Sequence, residues 1–247
     1  MTGWAGLEAA LDASAAQGEP IRFWWRDDDA GRATPALDRL LDLAERQDAP
    51  LALAVVGAWL EADAAASIVA SSRAAILQHG IAHRNAAPEG AKPVELDHQP
   101  PDHLVAALGR GRKVLEEAFG ALFLAVLVPP WNRIAPALVA RLPGAGYRGL
   151  STFGRRASPE PAPGLRQINT HLDPVDWRGG RGFTGTEASL GQLLDAIDGA
   201  DEPVGVLSHH LVMDEPGWAF LERLLEVLRG HPGARLAAAP DLFGEVA

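Results

Sequence analysis

Residues 21–29 read IRFWWRDDD and residues 74–83 read AAILQHGIAH: in each, an apolar run of strand length ends in a cluster of ionisable side chains. Short apolar runs bounded by polar residues read as buried strands. Three consecutive carboxylates, Asp27, Asp28 and Asp29, repel one another, so a fold that sets them at a strand end needs positive charge there, and a bound cation supplies it. His79 and His83 are four residues apart and point the same way from one helical turn or a tight loop, which suits two ligands of one metal ion.

Outward from these two stretches the pattern repeats. Further strands are expected at 51–56, 122–128, 149–152, 166–169, 204–208 and 234–238, with the first and third at 21–25 and 74–78. Between them Pro35 opens a helix to Gln47, with Leu37, Leu40, Leu41 and Ala44 at helical spacing and Thr34 placed to cap it. Segments 102–119, 135–142, 187–197 and 216–229 read in the same way. Strands alternating with amphipathic helices specify a parallel sheet or barrel, and one domain over 1–247 is the expectation. Two proline-rich stretches, 84–101 and 155–164, read as surface loops, and the first follows His83 directly enough to serve as a pocket rim.

Composition excludes several classes of function. A formal charge of -10 argues against a nucleic-acid partner, which needs a basic face. The chain has no cysteine, so any metal is held by oxygen and nitrogen. No run approaches the eighteen apolar residues of a membrane span, and the first residues lack a signal-peptide pattern, which makes a cytoplasmic location the expectation.

Position strengthens the case for a site. Asp27 to Asp29 follow the first strand, His79 and His83 the third, Pro129-Pro-Trp-Asn-Arg133 the fourth, Asp173-Pro-Val-Asp-Trp177 the sixth and Ser208-His-His210 the seventh. Parallel α/β folds build their active sites at such strand ends. Spacing alone leaves open whether Asp27-Asp28 or Asp28-Asp29 is the working pair. His209 and His210 are consecutive, so from an extended strand end only one of them faces the pocket.

In this order the motifs resemble those of the NodB-type polysaccharide deacetylases, carbohydrate esterase family four, over the whole chain: Asp28-Asp29, His79 to His83, Pro130-Trp131, Asp173 to Trp177 and Leu207-Ser-His209. The resemblance implies an α/β fold, a distorted (β/α)7-type parallel barrel, and a metal-dependent hydrolase that removes an N-acyl group, chiefly acetyl, from an amino sugar. It implies Asp28 as general base, Asp29, His79 and His83 as ligands of a divalent metal, His209 as general acid, Asp176 as the acid that orients or tunes a catalytic group, and Pro130, Trp131 and Trp177 as substrate contacts. The metal expected is zinc, with cobalt, nickel or iron also suited to oxygen and imidazole ligands. The substrate expected is small or lipid-linked. Hydrolysis of another C-N bond, in a ureide or cyclic amide, and a barrel that binds metal or sugar without turnover are the alternatives. The chain departs from the family at Val128, where the third motif carries an arginine, and Arg133 or Arg26 is left to supply that charge.

Overall fold

The first of the two stretches is an interior strand of the sheet, beside the strand at one end of it. In the computed structural model, which describes residues 2–199 and 202–244, strand β1 (Ile21–Ala30) continues through the acidic triplet instead of ending before it. Ladder pairing explains the extension, because Asp27 is in register with Leu53 on one side and Ser208 on the other. To one side of β1 follow β2 (Leu51–Val55), β3 (Ala74–His79), β4 (Phe123–Val128), β5 (Gly149–Leu150) and β6 (Arg166–Gln167); on the other lies β7 (Val204–Ser208). Every pair is parallel, and β8 (Ala234–Leu236) joins the first residues of β1.

The two ends of this sheet meet. Beyond β6 the chain bridges Phe153 with Thr170 and then Leu172 with Val206, and Leu207 N–H donates to the Leu172 carbonyl at 2.8 Å. The segment after β6 thus leaves β5 for β7 and curls the sheet into the distorted seven-stranded barrel expected from the sequence. Strands β5 and β6 are shorter than expected, at two residues each, because their continuations pair only through isolated bridges.

Helices α1 (Gly3–Gln17), α2 (Pro35–Arg46), α3 (Ala62–Ala70), α4 (Pro101–Phe119), α5 (Pro136–Val139), α6 (Thr186–Ile197), α7 (Glu215–Gly230) and α8 (Ala239–Phe243) complete the fold. Thr34 caps α2, its hydroxyl accepting from Leu37 N–H at 3.1 Å. Helices α1 and α3 were not anticipated: both are alanine-rich, and their apolar faces rest on few large side chains, Leu7 and Leu11 in α1 and Ile68 in α3. The helix expected over 135–142 is a single turn, α5, followed by Pro143. No helix among the described residues is long and apolar enough to cross a membrane.

Alternation along β1 sorts its side chains into two cores. Phe23 and Trp25 pack outward with Leu7, Leu37 and Leu221, whereas Trp24 packs inside with Ala52, Leu77, Val126 and Phe243, which closes one end of the barrel from α8. The period of two then carries Arg26 and Asp28 onto the face of Trp24 and Asp27 onto the face of Trp25.

Candidate active site

Arg26 is fully buried, and its guanidinium is surrounded by polar partners. Nε lies 2.8 Å from Asp28 Oδ1, Nη2 donates to Asp28 Oδ2 at 3.0 Å and to Asn132 Oδ1 at 2.9 Å, and Nη1 donates to Ser151 Oγ at 2.6 Å. A fork meeting both carboxylate oxygens fixes Asp28 in direction. Of the two arginines left open by the sequence, Arg26 is therefore the one beside Asp28. Arg133 instead donates to the Pro93 carbonyl at 2.7 Å and ties down the long loop.

Asp27 faces away from Asp28. Its carboxylate accepts from Ser208 Oγ at 2.6 Å and His210 N–H at 3.1 Å, and its Oδ1 is 2.5 Å from His210 Nδ1. Asp27 and His210 thus occupy each other between the sheet and the helices. That leaves Asp28 and His209 on the barrel side, as alternation requires of consecutive strand residues.

Asp29 ends the alternation with a positive φ of 70°. Its Oδ1 lies 3.2 Å from His79 Nε2 and 3.2 Å from His83 Nε2, and these three residues form a group able to hold a metal ion. His79 Nδ1 is 3.0 Å from the Val128 carbonyl, which can only accept, so Nδ1 carries a hydrogen, and whenever the ring is neutral its Nε2 lone pair faces Asp29. Asp29 Oδ1 is buried and has no hydrogen-bond donor. Two acceptors face to face need a positive charge between them. Burial opposes ionisation of Asp29, yet His79, His209 and His83 outweigh it and hold the carboxyl well below the usual range. Burial likewise opposes a charge on His79, but Asp28 and Asp29 prevail and raise the imidazole. This position favours a cation, and one carboxylate with two imidazoles and open positions is a donor set suited to a catalytic divalent metal.

The loop that presents His83 is wound around a buried acid that the sequence did not single out. Glu95 accepts from the backbone N–H groups of Ile81 at 2.8 Å, Ala82 at 2.9 Å and Arg84 at 3.0 Å. Gly80 has φ 59°, and a Cβ there would collide with the Glu95 carboxylate and the Pro130 ring, so only glycine fits. The His83 ring lies between Trp131, centroids 4.3 Å apart, and Trp59, at 5.5 Å. Asp29, His83, Trp131 and Asn132 all have positive φ, and strain in non-glycine residues gathers where a fold over-determines a site.

On the other side stands His209, which is 8% exposed. Trp177 meets it edge-on at 4.7 Å and donates from Nε1 to Asp173 Oδ2 at 2.7 Å, while Asp173 Oδ1 comes within 3.9 Å of His209 Nδ1. Burial raises the Asp173 carboxyl, with His209 and the Trp177 hydrogen bond pulling the other way. Asp176, the acid expected from the motif, is elsewhere: its Oδ1 accepts from Arg178 and Gly179 N–H and closes a turn. Asp173 is the acid beside His209. Pro130 is buried, Trp131 is half-buried and Trp177 is exposed.

No protein-family model matches the chain. No curated protein matches it either. Solved structures do. A peptidoglycan N-acetylglucosamine deacetylase, Bc1960, in complex with a naphthalenyl benzamide bearing an N-oxidanyl group, superposes with a TM-score of 0.59 at 17% identity, covering 91% of this chain and 88% of that one. A family 4 acetyl xylan esterase from Clostridium thermocellum, with a cobalt ion, gives 0.56 at 17%, covering 90% of each chain. The chain has the fold of the family 4 carbohydrate esterases. A pseudoenzyme of that family, BA3943 from Bacillus anthracis, gives 0.61 at 14%, covering 92% of this chain and 66% of that one. One fold therefore houses both enzymes and a pseudoenzyme, and what this chain does depends on its side chains.

Proposed function

We propose that the protein is a divalent-metal-dependent hydrolase of the family 4 carbohydrate esterase type that removes an N-acyl group, foremost N-acetyl, from a small or lipid-linked amino-sugar substrate. The observation that carries the reading is the convergence of Asp29, His79 and His83 on one point, with Asp28 gripped by Arg26 and His209 backed by Asp173. Asp29, His79 and His83 would hold the metal, zinc foremost, with cobalt, nickel and iron compatible with the same donors. When bound, the metal supplies Lewis-acid polarisation of the acyl carbonyl and lowers the pKa of water.

The remaining chemistry belongs to the chain. Asp28, held in place by Arg26, takes the proton of the attacking water as general base. His209 donates a proton to the departing amine nitrogen, and Asp173 keeps its ring turned toward the substrate. Pro130, Trp131 and Trp177 line the approach, the two indoles offering flat faces to a sugar ring. Asp27 and Asp176 take no part in bond breaking.

The test is acetate release from N-acetylglucosamine oligomers by zinc-loaded protein. His79→Ala is expected to lose both metal and turnover, and Asp28→Asn to keep the metal and lose turnover. Undiminished hydrolysis by metal-free His79→Ala would overturn the proposal. Tight sugar binding by the metal-loaded protein without acetate release would make this a binding barrel instead.

A further inference from the structure

At the opposite end of the barrel from the metal-ligating cluster lies a cavity of about 840 Å³. Arg22, Arg148 and Arg166, at the N-terminal ends of β1, β5 and β6, line it together with Arg156. Two of these are held in place by backbone: Arg166 Nη1 donates to the Leu242 carbonyl and Arg156 Nη1 to the Gln167 carbonyl, each at 2.6 Å. The carbonyl orients Arg166 without neutralising it, whereas Arg156 is also paired with a carboxylate. Arg22 and Arg148 are exposed, and their side chains have no carboxylate partner among the described residues.

Strand register adds an independent observation. Arg22 on β1 is the direct partner of Arg235 on β8, so two like charges stand side by side on one face of the sheet. Such a pair is unfavourable unless an anion sits against it. Glu160 and Asp241 are the acids that line the cavity, and Glu202 pairs with Arg156 at 3.3 Å. The four lining arginines outnumber these three acids, in a chain whose formal charge is -10. Ile168, Leu242 and Phe243 give the same cavity an apolar wall, and its volume falls within the roughly 300–1,000 Å³ of small-molecule sites.

We propose that this cavity binds a small molecule that carries phosphate and has an apolar or ring-shaped body, at a site separate from the catalytic mouth. Guanidinium forks match phosphate oxygens in pairs, and the apolar wall receives the body. The test is calorimetric titration of the full chain with inorganic phosphate, pyrophosphate and ADP. Saturable binding is expected to tighten in that order. The double variant Arg22→Gln, Arg148→Gln, altered only at exposed positions, should weaken ADP about tenfold or more, the loss of one to two charged hydrogen bonds. Asp29→Asn, at the metal cluster, should leave ADP binding unchanged. The proposal is overturned by absence of saturable binding, by unchanged affinity in the double variant, or by loss of affinity in Asp29→Asn.

Discussion

Arg26 shows how much one side chain can decide. Breaking a buried ion pair on one side leaves an uncompensated charge, so Arg26→Met should cost about 3–5 kcal/mol. The double variant Arg26→Met, Asp28→Asn removes the stranded charge and should be more stable than Arg26→Met alone. Urea denaturation of the three proteins checks this, and a double variant less stable than the single would show that the pair is not what holds the region. His210 makes a prediction about pH. Burial disfavours its charge, but Asp27 outweighs burial and raises the imidazole above its ordinary value. A raised histidine stabilises the fold fully below its unfolded pKa of about 6.5, and the contribution is lost as pH climbs through the higher folded value. Wild type should therefore lose stability between pH 6 and pH 9 more steeply than His210→Asn, which keeps a donor toward Asp27 but cannot titrate. Parallel slopes in the two proteins would remove His210 as the cause.

At the scale of elements, the hairpin-like turn from β3 to His83 is built by Glu95 and Gly80 together. Glu95→Gln replaces one acceptor oxygen with a donor that confronts backbone N–H groups, and losing a group that supports a metal ligand typically costs about 10–100-fold in affinity. Metal titration of Glu95→Gln should show a loss in that range with little change in the fold, whereas wild-type affinity would mean that His83 is placed without Glu95. The turn also shows where sequence reading stops. Strand alternation made it readable that only one of His209 and His210 faces the pocket, because a period of two is a local rule. Glu95 lies in an irregular loop sixteen residues after His79, with no period to mark it, and only the folded backbone reveals the donors it collects. Asp173 and Asp176 flank the same turn, so choosing between them required knowing which one the chain spends on Gly179. Helix α1 escaped for a different reason: its stripe of two leucines among alanines falls below what periodicity can register.

For the molecule as a whole, the metal cluster is a cross-link. Asp29 is the last residue but one of β1 and His79 the last of β3, with β2 between them in the sheet, so a bound ion fastens strands that do not hydrogen-bond to each other. An ion that binds the folded barrel and not the unfolded chain adds stability by mass action, about 2.7 kcal/mol at a hundred times its Kd. Zinc titration followed by thermal denaturation should raise the midpoint of wild type steadily with concentration. His83→Ala, at a half-buried loop position outside the sheet, should fold as wild type does without metal and respond far less to zinc. An equal rise in both proteins would place the stabilising ion elsewhere, whereas a response in wild type alone ties the three ligands to the fold as well as to the proposed reaction.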